Sequence, residues 1–107
     1  MSKKLTSEFI HKMFSECKTV YFLSSGANIV SRIYEPEKVE INEFTYWFQI
    51  RFPGYQALLS INKDVVDFTD ASSLHPDDTK HGIVSDTTLG CIFMENGDEI
   101  LFDSEHQ

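Results

Sequence analysis

The apolar residues of this chain change their period once, at Cys17, and that change constrains the fold more than any other feature. Before it, Phe9, Ile10, Met13, Phe14 and Cys17 recur at spacings of three and four, which puts them on one stripe of an amphipathic helix over residues 6–17. Thr6 is placed to cap the amino end of that helix, and Leu5 and Ile10 have the spacing of a hydrophobic staple. Glu8 suits the positive end of the helix dipole and Lys18 the negative end. After Cys17 the period is 2, the period of strands.

Strands are expected at residues 19–24, 29–34, 39–52, 55–61, 65–68, 87–94 and 99–103. Residues 25–28 and 35–37 and the pair Pro53-Gly54 separate them with turn chemistry. The stretch 39–52 is the most strongly patterned. Phe44, Tyr46, Phe48, Ile50 and Phe52 alternate onto one face, and Thr45, Trp47, Gln49 and Arg51 onto the other. Val39 and Ile41 are out of phase with that set, so a bulge or turn near Asn42-Glu43 must reset the register. The pair Asn96-Gly97 predicts a two-residue type I′ hairpin turn, which needs positive φ at both positions. The hairpin's second face is expected to carry Ile92, Met94, Leu101 and Glu99, and either to be covered or to offer apolar surface to a partner. Residues 69–82, with Ala71 and Leu74 their only large or small aliphatic residues, read as the main loop. The class that follows is α+β: one N-terminal helix packed on an antiparallel, meander-like sheet of about six or seven strands, in a single domain over residues 1–107.

Composition narrows the partners. The chain carries a net charge of −8, and almost all of it lies at one end. Residues 1–18 are net +2, residues 19–63 are neutral, and residues 64–107 set eleven carboxylates against Lys80 for a net of −10. A field of that sign repels nucleic-acid phosphate and anionic membrane and draws cationic partners inward. The longest apolar run, Val20-Tyr21-Phe22-Leu23, is far short of the roughly 20 residues that span a bilayer. Glu8 and His11 follow Lys3 and Lys4 too closely for a signal-peptide core, so the expected compartment is the cytoplasm.

The residues that carry chemistry are few and scattered. His75, Asp77, Asp78 and His81 form the densest polar cluster, but they lack the spacing of known metal sites and read as a solvated loop without metal. Cys17 lies on the helix stripe and Cys91 inside a strand, where a buried thiol is inert. The glycines are isolated, with no phosphate-binding loop, and no nucleophile elbow or zinc-protease motif is present. No catalytic residue, metal or cofactor is therefore expected. Surface recognition is, through the carboxylates Asp64, Asp67, Asp70, Asp77, Asp78 and Asp86 and through Trp47, whose alternative role is a side chain covered by the helix or another strand.

A small acidic chain with a helix at 6–17, a β-rich remainder and an acidic half at 64–107 resembles the immunity proteins of bacterial polymorphic-toxin and contact-dependent growth-inhibition systems. The resemblance implies a cytoplasmic monomer in a one-to-one complex with a toxin, often a basic nuclease, whose active site it blocks. Type III secretion chaperones are also small and acidic, but they need further helices for dimerisation and for wrapping an effector. A small enzyme would need His75, His81 and a carboxylate to converge in a cleft.

Overall fold

Thr6 opens the helix as its sequence predicts: its Oγ1 accepts a 3.2 Å hydrogen bond from the Phe9 amide, satisfying one of the amide groups that a helix start leaves without a partner. The structure is a computed structural model that describes residues 3–24, 30–34, 39–55, 57–71 and 86–105. In chain order the elements are β1 (Lys3–Lys4), α1 (Ser7–Glu16), β2 (Thr19–Leu23), β3 (Val30–Tyr34), β4 (Glu40–Glu43) and β5 (Trp47–Phe52). A 3-10 turn at Pro53–Tyr55 follows, then β6 (Ala57–Asn62), β7 (Asp64–Val65), β8 (Asp67–Asp70), β9 (Thr88–Phe93) and β10 (Glu99–Asp103). The fold is α+β with antiparallel pairing throughout.

The strands do not form one meander. They divide into a five-stranded sheet in the order β3-β2-β10-β9-β8, a three-stranded meander β4-β5-β6, and a two-stranded ribbon that pairs β1 with β7. The phase conflict around Val39 and Ile41 is resolved by a turn at Thr45-Tyr46, not by a bulge at Asn42-Glu43. The expected long strand becomes a hairpin in which Ile41 lies opposite Ile50 and Glu43 opposite Phe48. Phe44 and Tyr46 accordingly leave the apolar ladder and become exposed, while Phe48, Ile50 and Phe52 stay in it and are buried.

One core joins the helix to both larger sheets. Ile10, Met13 and Phe14 of α1 pack with Val20, Ile92, Ile100 and Phe102 of the five-stranded sheet and with Phe48, Ile50, Phe52 and Ile61 of the meander. Phe14 bridges the two sheets, edge-on to Phe102 at 5.0 Å between centroids and tilted against Phe52 at 5.9 Å. Each such fully buried side chain contributes about 1.5–3 kcal/mol through removal from water. The staple is present too, with Leu5 and Ile10 both buried in this core.

The second face of the five-stranded sheet is also buried, around Tyr21, Leu23, Cys91 and Leu101. The register corrects the expected face assignment there. Leu101 lies opposite Cys91, and Ile92 opposite Ile100, so Ile92 faces the main core and Leu101 the second one.

The β9–β10 hairpin turns differently from the type I′ expectation. Gly97 donates its amide to the Met94 carbonyl at 3.0 Å, and Met94 donates to the Asp98 carbonyl at 2.9 Å. These bonds enclose three residues, with Gly97 at φ 93° as the left-handed bulge position. The Asn96 side chain accepts from the Asp98 amide at 2.9 Å and so steadies the turn. Gly97→Val should lower the melting temperature by at least about 4 °C, the equivalent of roughly 1 kcal/mol, since a β-branched residue resists positive φ. An unchanged melting temperature would contradict this turn geometry.

Candidate partner-binding surface

The exposed face of the meander is where the structure places Trp47. With β5 alternating, Phe48, Ile50 and Phe52 point into the core, and Trp47, Gln49 and Arg51 point away from it. Trp47 is 38% exposed, so the covered alternative does not hold. Its ring stacks on Phe44 across the hairpin, with centroids 5.0 Å apart and planes 22° apart. Tyr46, 68% exposed, completes an aromatic tip. The residues of this tip other than Trp47 escape a reading based on alternation, because Thr45-Tyr46 has none of the usual turn residues. The phase conflict upstream is the only sequence signal for it.

Lys63 fixes the tip to the body. Its amide donates to the Tyr46 carbonyl at 3.0 Å, its carbonyl accepts from the Leu5 amide at 2.7 Å, and its Nζ lies 5.1 Å from the centre of the Phe48 ring. The same ammonium donates to Glu43 at 2.8 Å. That hydrogen bond, with smaller help from Ser7 and His11, holds the Glu43 carboxyl below its ordinary value against a weaker opposing effect of burial. A lowered carboxylate supports the fold above its unfolded value and loses that support as pH falls through the folded one, so the link is intact at neutral pH and is lost only in acid.

The acidic candidates separate into groups. Asp64 lies on β7 and Asp67 on β8, not in a loop, and each meets a lysine of β1: Lys4 with Asp64 at 2.7 Å, Lys3 with Asp67 at 2.6 Å. These pairs are exposed and worth about 0–1 kcal/mol each, but they cancel two charges of the acidic segment locally. Asp70 is the exposed last residue of β8, opposite Gly90, and Asp86 is exposed just ahead of β9. Asp77 and Asp78, with the whole cluster from His75 to His81, lie outside the described residues. Asp64 follows Lys63, whose amide meets the Tyr46 carbonyl of the tip, whereas Asp70 and Asp86 belong to β8 of the five-stranded sheet and to the approach to its neighbour β9.

Cys17 and Cys91 are buried and form no disulfide. Among the described residues, no three His, Cys, Asp or Glu side chains form a group able to hold a metal ion. Among the same residues, no helix is long and apolar enough to cross a membrane. No protein-family model, curated protein or solved structure matches the chain.

Proposed function

We propose that the protein is a protein-binding inhibitor, an immunity protein that neutralises a cationic toxin by covering its active site in a one-to-one complex. The observation that carries the reading is the aromatic tip: Trp47 stacked on Phe44, beside Tyr46, exposed on a chain of net charge −8. Trp and Tyr dominate the few residues that hold protein interfaces together, because they bury a large rigid area at small entropic cost. The negative charge supplies the complementary half, since a toxin surface built to hold phosphate is positive and is steered to an acidic partner. Asp70, Asp77, Asp78 and Asp86 act in that steering, and Asp64 and Asp67 act less because Lys4 and Lys3 neutralise them. The chaperone alternative calls for further helices, whereas α1 is the one α-helix among the described residues.

The test is purification from the native host at low salt, followed by kinetics with the protein that co-elutes. The expected partner is basic, inhibits growth when expressed alone, and is silenced by this chain. Its association rate should fall about tenfold or more as salt rises from roughly 0.05 to 0.5 M, with a much smaller change in dissociation. An acidic partner, or association indifferent to salt, would sink the reading.

A further inference from the structure

The two edges of the meander are guarded very differently. Strand β4, one edge, carries Glu40 and Glu43, and charges of that kind discourage another strand from adding. Strand β6, the other edge, reads Ala-Leu-Leu-Ser-Ile-Asn, without a charge, a proline or a glycine. It pairs with β5, and among the described residues no strand lies on its other side. Leu58 of this edge is 57% exposed.

Alongside β6 runs a cleft of about 560 Å³. Four consecutive residues of the strand, 57–60, line it. Successive side chains of a strand point to opposite faces, so a cavity touching all four lies along the strand's edge, where backbone groups face it. The opposite wall is mostly apolar and includes Phe22, Leu23, Met94 and Ile100. The charged groups in the lining are Asp98 and Glu99, with no lysine or arginine among the described lining residues.

We infer that this cleft is a strand-docking site, in which an extended apolar segment flanked by Lys or Arg adds to the edge of β6 that no described strand covers. Backbone hydrogen bonds to residues 57–60 supply the affinity, apolar side chains fill the cleft, and Asp98 together with the chain's net charge of −8 selects positive charge. A second copy of this chain is the wrong occupant by charge, because two molecules of net −8 repel one another. The inference rests on the inhibitor reading only for whose segment docks. On the outer face Trp47 lies opposite Asn62 and Leu58 opposite Arg51, so one partner lying along β5 and β6 meets both the tip and the edge.

The probe is the peptide acetyl-Lys-Val-Thr-Val-Thr-Val-Lys-amide, titrated into the ¹⁵N-labelled full chain. Saturable shifts centred on the amides of residues 57–60 are expected. N-methylation of one alternate set of peptide residues should weaken binding about tenfold or more, and methylation of the other set should leave it unchanged, because one edge of the peptide pairs. Exchanging both lysines for glutamates, or introducing Leu58→Lys, should each weaken binding by a similar factor. Leu58→Lys should leave the melting temperature in place, since the side chain is exposed. Shifts centred elsewhere, equal binding of both methylated forms, no saturation at millimolar peptide, or a dimer dissolved by Leu58→Lys would overturn the inference. A basic partner whose affinity ignores Leu58→Lys would overturn the docking site and leave the inhibitor reading intact. Peptide binding in a chain that has no basic partner would do the reverse.

Discussion

Gly90→Ala should lower the melting temperature by about 5–15 °C, and Gly90→Val should lower it further. In an ordinary strand the exchange would gain stability, because glycine costs roughly 0.5–1 kcal/mol of backbone entropy relative to alanine. Here α1 crosses β9 too closely for that. A Cβ at Gly90 would sit 2.7 Å from the Thr69 carbonyl oxygen, 2.8 Å from Met13 Sδ and 3.4 Å from Phe9 Cζ. Met13 is buried and cannot swing into solvent, and the Thr69 oxygen is backbone on β8, paired at Cys91. Overpacking of this kind costs about 1–3 kcal/mol, which exceeds the entropic gain. For a domain of this size each kcal/mol corresponds to about 4–8 °C. A melting temperature within about 2 °C of the parent would show that the helix is not seated on Gly90.

Trp47→Ala should raise the dissociation rate of the partner about thirtyfold or more, the equivalent of roughly 2 kcal/mol, and leave association nearly unchanged. The fold should lose only about 1 kcal/mol, because what goes is one exposed stack on Phe44. The carboxylates should behave the other way round. Asp70→Asn with Asp86→Asn should slow association at low salt and barely alter dissociation. A dissociation rate within threefold of the parent for Trp47→Ala would remove the aromatic tip from the interface. Measuring both rates for both variants separates contact from steering.

Sequence-local features were legible. The Thr6 cap, the staple of Leu5 and Ile10, and the buried ladder of Phe48, Ile50 and Phe52 each depend on residues a few positions apart. The features that failed depend on neighbours distant in the chain. Thr19 pairs with Asp103, a partner no periodicity can name, so the sheet order escaped. Charge summed along the chain cannot know that Lys3 and Lys4 return to Asp67 and Asp64 through the β1–β7 ribbon. A two-residue loop would put Ile92 opposite Leu101 on one face, and the three-residue loop with its bulge at Gly97 changes the pairing parity. Of the candidate site, Trp47 was legible as facing away from the ladder. Its stack on Phe44 was not, since it arises only once the chain folds back at Thr45-Tyr46.

The order β3-β2-β10-β9-β8 also sets a timetable for biosynthesis. The last of the described strands in chain order, β10, occupies the middle of the sheet and pairs with β2 on one side and β9 on the other. Until residues 99–103 have been translated, no strand pairs the hairpin β2–β3 with the pair β8–β9, and Val20 and Ile92 lack Phe102 and Ile100 as neighbours. At about 5–20 residues per second, translation from the end of β9 at Phe93 to the end of β10 at Asp103 takes about 0.5–2 seconds, during which the nascent chain carries two unsatisfied sheet edges. Residues 64–107 carry a net charge of −10, so neighbouring nascent chains repel one another while the keystone strand is still being made.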